Sequence, residues 1–226
     1  MNGSWQKGFS MKDGKVYDRQ FELQFTEAVL GTASGNKRIY TDFIAAKYEG
    51  EPGPQQPRDE IEALPDVDEE LTKGTTFFWR SKEGKPGVFN YWIKGALKAG
   101  VEAMLSSDDV TKEQMKRWRL TRYSYKRTIG SLVFIKPRFI EFDLPEGTGE
   151  LDFCERPLRA ETLKGARTCL ARSEVVPAGA RLRFTIAVRA MYLWEPIEWV
   201  LDYGSDFGMG QWANSGFGTY TWKEAD

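Results

Sequence analysis

The sequence predicts an α+β fold, an antiparallel β-sheet with helices on one face. Three observations carry that expectation. Residues 21–27 (FELQFTE) and 181–189 (RLRFTIAVR) alternate apolar and polar side chains with the period of two that a half-buried strand requires. Residues 89–105 (FNYWIKGALKAGVEAML) instead set Trp92, Ile93, Ala96, Leu97, Gly100, Val101, Met104 and Leu105 at helical spacing. With insertions set aside, the segments follow one another as strand, helix, strand, strand, helix, strand, which is the ferredoxin-like (RRM-like) plan.

Each element follows from its residues. In the first strand Phe21, Leu23 and Phe25 share a face. The stretch VLGTASGNKRIYTDFIAAKY opens as a loop at Gly31 and Gly35 and continues as a short helix-compatible segment. Residues 49–70 are rich in proline and carboxylate, too polar to pack, and read as an exposed or disordered acidic insertion. Residues 75–80 (TTFFWR) resume a strand, and EGKPG turns the chain. After the 89–105 helix, Ser107 or Asp108 is placed to cap a second helix from near Val110, the core of a basic helical insertion at 108–128. Residues 131–143 (SLVFIKPRFIEFD) have strand character broken by Pro137, giving two strands or a bulged edge. Residues 151–180 show little periodicity. In the next strand Leu182, Phe184, Ile186 and Val188 alternate with Arg181, Arg183, Thr185 and Arg189, so one face is charged. Residues 195–204 (EPIEWVLDYG) form a short helix with Pro196 in its first turn and Gly204 at its end, and GTYTWKE closes the sheet. Residues 1–226 make one domain. A sheet covered by helices on one side leaves its other face free.

Charge is strongly segregated along the chain. The total is −1, yet residues 49–70 carry nine carboxylates against one arginine. Residues 111–127 (TKEQMKRWRLTRYSYKR) hold seven Lys or Arg and one Glu. Blocks of one sign are usually solvated faces. The basic block also threads Trp118, Tyr123 and Tyr125 among its cations, the pairing of charge for phosphates with flat rings for bases that a nucleic-acid strand needs.

Composition removes several chemistries. Histidine is absent, which excludes Ser-His and Cys-His nucleophile pairs and removes the commonest zinc and iron ligand. The two cysteines, Cys154 and Cys169, have no metal-motif spacing and read as reduced thiols. No cofactor and no metal are expected. No window approaches eighteen apolar residues and the first residues lack a signal-peptide core, so the expectation is a cytoplasmic protein with no membrane partner.

The densest motif is DFGMGQWANSGFGTYTW at 206–222, four glycines interleaved with five aromatics. GMGQWA fits part of a dinucleotide-binding fingerprint, but it follows a helix and opens a strand, the reverse of what that fingerprint needs. GKP at 84–86 lacks the rest of a phosphate loop. Two readings stay open: a tight turn whose aromatics fill the core, with Phe217 and Trp222 inside, or a surface that grips a ligand. Glycines let backbone N–H groups approach phosphates closely.

Four stretches, in order, resemble a known family. They are VLGTAS after the first strand, FNYWIKGALKAGVEAM with Lys94, Gly95, Leu97 and Lys98, the segment CERPLRAETLKGARTCLARSEVVPAGARLRFTIAV, and YGSDFGMGQWANSGFGTYTW. Together they are similar to the motifs of the RAMP superfamily, the RNA-binding subunits of CRISPR effector complexes, closest in order to the backbone subunits of type III complexes. The resemblance implies a ferredoxin-like core with a thumb-like hairpin projecting from 151–180. It implies single-stranded RNA, or DNA, as the ligand. Gly208, Gly210, Gln211, Trp212 and Asn214 of the glycine loop would meet it, with Trp212 stacking a base. Lys94 and Lys98 of the helix, and Arg156, Arg159, Lys164, Arg167 and Arg172 of the hairpin segment, would meet phosphates. Asp42 lies near the position where type III backbone subunits carry a cleaving aspartate, and it is the one weak catalytic candidate. Otherwise the chain reads as a binding protein. Three alternatives stand beside nucleic-acid binding: a mobile-element mimic or inhibitor of a CRISPR effector complex, with 49–70 as its partner-binding arm; a self-assembling homo-oligomer; and an RNA endonuclease acting through Asp42.

Overall fold

The computed structural model describes residues 16–35, 56–65, 74–162 and 165–225, without the side chains of 56–58, 158–162 and 166–169. Asp42, Lys164, the helix-compatible stretch after Gly35 and the flanks of the acidic segment lie outside the described residues. The elements, in chain order, are β1 (Tyr17–Phe25), β2 (Val29–Leu30), β3 (Ala33–Ser34), α1 (Gln56–Glu62), β4 (Thr75–Phe77), β5 (Trp79–Arg80) and β6 (Pro86–Phe89). There follow α2 (Asn90–Met104), α3 (Lys112–Arg117), α4 (Tyr125–Leu132), β7 (Val133–Lys136), β8 (Phe139–Asp143), β9 (Phe153–Thr162), β10 (Gly165–Val176), β11 (Arg181–Val188), α5 (Trp194–Phe207) and β12 (Tyr220–Ala225).

The main sheet runs β12-β1-β11-β8-β6-β5, with β7 also paired to β11. All its pairings are antiparallel. Its central part, β12-β1-β11-β7/β8 with α2 and α5 as crossovers, is the ferredoxin-like arrangement that the alternating and helical periodicities predict. Phe21, Leu23 and Phe25 face Leu182, Phe184 and Ile186 beneath α2 and α5, and all are buried. Pro137 splits the predicted 131–143 strand into β7 and β8, which pair with successive parts of β11.

A second sheet, β2-β10-β4-β3 with β9 on β10, is smaller. The predicted strand at 75–80 divides between the two sheets. β4 runs parallel to β10 while β5 joins β6, and buried Phe78 lies at the crossing with its N–H donated to Glu174 Oε2 at 2.9 Å. The aperiodic 151–180 segment is a long hairpin of β9 and β10, registered from Gly165↔Thr162 to Glu174↔Phe153. Arg159 and Arg167 lie on its two arms.

Three expectations need correction. The basic block is not one helix: Thr111, rather than Ser107 or Asp108, caps α3 through a capping box with Gln114, and α4 follows after a break. The last helix does not stop at Gly204. It runs on to Phe207, and Gly204 sits inside it because the Tyr220 hydroxyl fills the space a Cβ would need. The face of the sheet away from α2 and α5 is not wholly free. Strand alternation turns Phe139 and Phe89 to that side, and Ile61, Ala63 and Leu64 of the acidic segment pack there with Trp79 and Ala33. Leu64 is buried, Ala63 O accepts from Arg80 N at 2.7 Å, and Glu60 pairs with Arg138 at 3.2 Å. Three apolar residues at 61–64 suffice to dock a stretch that composition marks as solvated.

Part of the rest of that face carries a mutually paired charge cluster. Glu22, only 7% exposed, accepts from Arg183 Nε at 2.6 Å and lies 3.1 Å from Lys223 Nζ; Arg183 also reaches Asp143 at 3.0 Å. The Arg183 hydrogen bond first, then that of Lys223, holds the Glu22 carboxyl below its ordinary 4.5. A carboxylate whose folded pKa is depressed contributes stability above its unfolded value and loses it as pH falls through the folded one. Glu22→Gln is therefore expected to lower Tm at pH 7, with the gap to wild type closing as pH is lowered toward 2. Thermal melts across that range check it; a constant gap would refute the assignment.

Candidate nucleic-acid interface

The glycine loop closes on itself. Gly208 ends α5 at φ 87°, Gly218 precedes β12 at φ 72°, and Met209 N donates to Gly218 O at 2.9 Å. A Cβ on Gly208 would lie 2.2 Å from Phe217 O, and one on Gly218 would lie 2.1 Å from Met209 O. These two glycines let the loop's own strands cross at its neck. Met209 plugs the core beneath them. Phe217 and Trp222 are only half-buried, Trp222 against the core with its Nε1 donated to Asp202 at 2.8 Å.

Beyond the neck the loop is half-buried at Gln211, Trp212 and Ala213 and exposed at residues 214–216. Gly210 and Trp212 both take positive φ (94° and 60°), a short turn covers Ala213–Ser215, and Asn214 and Gly216 lie at the tip. Trp212 is no lone platform. The Arg156 guanidinium of β9 lies over its ring at 4.4 Å. Arg156 also donates through Nη2 to Gln211 Oε1 and through Nη1 to Ser173 Oγ at 3.0 Å, and Ser173 Oγ lies 2.8 Å from Thr76 Oγ1. Arg156 stands opposite Ala171 in the hairpin, whose small side chain leaves it room.

The electrostatics of Arg156 are unusual. The residue is only 5% exposed, its Nε has no hydrogen-bond partner, and no carboxylate pairs with it among the described residues. A buried charge ordinarily has a counter-charge, because desolvating it alone costs several kcal/mol. Its neighbours are neutral acceptors and a ring. Nearby Glu174 is taken, accepting from Phe78 N and from Arg80.

The structure thus gathers Arg156, Gln211 and Trp212, with Gly210 beside them, across 55 residues of chain. Arg172 and Lys94, by contrast, have partners of their own. Arg172 stacks on Phe153 at 4.1 Å and lies 3.6 Å from Glu155. Lys94 donates to Gly130 O at 2.7 Å and sits over Phe134. Burial, then the nearby Lys98, lowers its ammonium pKa. Trp118 and Tyr125, proposed as ring faces, are core residues, and of that trio only Tyr123 is exposed. Sequence reasoning missed Ser173 and Thr76, which anchor Arg156. It also missed an aromatic row on α5, Trp199, Tyr203 and Phe207, stacked at 5.5 and 5.2 Å. Spacing at i, i+4, i+8 signals that row. It borders an apolar groove of about 360 Å³ between α2, α5 and the glycine loop.

Fold and site together define an α+β protein with a ferredoxin-like sheet, a projecting hairpin and a cationic junction between that hairpin and a glycine loop. No family model matches the chain, and no curated protein matches it in sequence. Among solved structures, a chain from the Type III-B Cmr-beta complex bound to cognate target RNA superposes with a TM-score of 0.47 at 10% identity, over 94% of this chain and 60% of that one. A chain from a Type IV-B CRISPR complex gives 0.46 at 11% identity, over 92% and 90%. Among the described residues no helix is long and apolar enough to cross a membrane.

Proposed function

We propose that this protein binds single-stranded nucleic acid, without cleaving it, at the junction of the glycine loop and the base of the β9–β10 hairpin. The observation that carries the reading is Arg156: a buried guanidinium with an unpartnered Nε and, among the described residues, no carboxylate, aligned on Trp212 and Gln211. A backbone phosphate supplies the missing anion and accepts planar N–H donors well. Gln211 and Asn214 offer amides to base edges, and the uncovered side of Trp212 offers a ring to stack on. The similarity of the four motifs to the RAMP superfamily puts RNA ahead of DNA. The test is fluorescence anisotropy with a labelled mixed-sequence single-stranded RNA, and the matching DNA, across a salt series. Expected is binding whose logarithmic constant falls linearly with the logarithm of salt, since each phosphate contact releases counterion. No binding at low salt removes the reading.

A second reading has its own observation. The aromatic row Trp199–Tyr203–Phe207, with Phe207 exposed beside the apolar groove, favours a protein contact, either with further copies of this chain or with subunits of a CRISPR effector complex. Sedimentation across a hundredfold concentration range is expected to show self-association that Phe207→Ser reduces. A concentration-independent monomer leaves only foreign subunits for that surface.

A further inference from the structure

The basic helical insertion has no part in the Arg156 site. α3 lies against the start of α5, where Arg117 grips Glu195 with contacts of 2.5 and 2.6 Å, and α4 packs on α2 and β7. The glycine loop begins at the other end of that helix. Fourteen residues at 1.5 Å each put the two ends about 20 Å apart. Whatever the insertion binds, it binds separately.

Its anchoring fixes which side chains face solvent. Trp118 is 2% exposed and donates Nε1 to Glu195 Oε2 at 2.9 Å, and Leu120 is equally buried two residues on. The residue between them, Arg119, is pushed outward and takes φ 52°. That is the left-handed region, which glycine or asparagine occupies at little cost and an arginine at a real one. Its guanidinium lies over Tyr192 at 5.3 Å, clear of any carboxylate among the described residues. Strain of this kind persists where a side chain has a use.

The same insertion carries further exposed cations. Lys112 and Lys116 are exposed one turn apart on α3, and Arg119 follows three residues later. Arg127 is exposed on α4, and none of these four cations has an acidic partner among the described residues. Between them Tyr123 is 100% exposed, a ring lacking any packing role. The capping box, Trp118 and Leu120 anchor α3 and Arg119, and buried Tyr125 and Ile129 anchor α4.

We infer that this surface is a second nucleic-acid contact, a backbone-reading patch formed by Lys112, Lys116, Arg119 and Arg127 with Tyr123 stacking on a base or sugar. It shares a ligand class with the proposed function and none of its residues. A membrane fits less well, because the patch has no aliphatic side chain to insert, and an acidic protein leaves Tyr123 without a partner.

The experiment compares wild type with Lys116→Gln/Arg119→Gly/Arg127→Gln, and with Tyr123→Ser, by anisotropy on a twenty-nucleotide single-stranded RNA over a salt series. Expected for the triple variant is a loss of affinity of about thirtyfold at low salt and a salt slope smaller by about 2, as three lost phosphate contacts require. Its Tm should be unchanged or raised, since glycine at 119 relieves the backbone. Tyr123→Ser should weaken binding at every salt concentration without changing the slope. An Arg156 variant is measured in parallel. If it alone loses affinity, the inference here fails and the Arg156 site stands. If the triple variant alone loses affinity, the inference stands and the Arg156 site fails. Losses from both should add in free energy, as sites this far apart do. A slope equal to wild type, or binding to phosphatidylserine vesicles in place of RNA, overturns the inference.

Discussion

Gly218→Ala is expected to destabilise the protein by about 3 kcal/mol or more, the largest effect of any single methyl group in the loop. Two costs combine. The backbone sits at φ 72°, where an L side chain is disfavoured by roughly 1–2 kcal/mol. The new Cβ would also lie 2.1 Å from the Met209 carbonyl oxygen, a backbone atom that cannot rotate away. Relief would separate Met209 from Gly218, break their hydrogen bond and draw the Met209 side chain from the core, an overpacking penalty of about 1–3 kcal/mol. For a chain of this size the sum lowers Tm by about 6–12 °C. Gly216→Ala is the control. It shares the positive φ but has nothing within 4 Å of a Cβ, so only the backbone cost applies. Calorimetry on the two variants checks the difference; equal losses would mean that the neck is looser than its geometry implies.

Arg156→Met is expected to move stability and affinity in opposite directions. Methionine has a similar length and no charge, so it removes a buried guanidinium that has no carboxylate partner among the described residues while keeping contact with Trp212. Ser173 retains Thr76 and lies 3.3 Å from Gln211 Oε1, so the acceptors are not orphaned. Tm should therefore hold or rise. Affinity for single-stranded RNA should drop about tenfold to a hundredfold, the loss of a charge-assisted phosphate contact. Arg156→Lys, which keeps the charge but not the flat fork on the ring, should fall between. A parallel fall in Tm and affinity would make Arg156 a packing residue and withdraw the proposed site.

What could be read in the sequence follows from which surfaces are one-sided. β1, β11 and α2 each keep their large apolar side chains on a single face, so their periods of 2 and 3.6 are clean even though Glu22 and Ala187 are buried on the other side. The hairpin escaped that test. Its base buries Arg156, Ser173 and Glu174, polar residues that look like surface in one dimension. Trp118 and Leu120 escaped for another reason: two buried residues within a run of cations resemble stacking rings on a basic helix. The capping box at Thr111 was legible as Thr-Lys-Glu-Gln but lost to the nearer Ser107 and Asp108. Trp212, Gln211 and Arg156 were each singled out, yet nothing local indicates that they meet, because β10 and the end of α5 bring them together through tertiary pairing.

β10 runs unbroken for twelve residues, from the far end of the hairpin into the second sheet. At 3.3–3.4 Å per residue it is a lever about 40 Å long. Its fulcrum is the stretch where Arg172 and Ser173 pair with Thr75 and Thr76, and Ser173 holds Arg156 there. The arm from that fulcrum out to Gly165 is about 23 Å, so tilting it by about 5° displaces its far end by roughly 2 Å, while the fulcrum moves by a small fraction of that. One continuous strand thus joins the outer hairpin to the point where the guanidinium is aligned on Trp212, so a displacement far out would reach that alignment only as a fine adjustment.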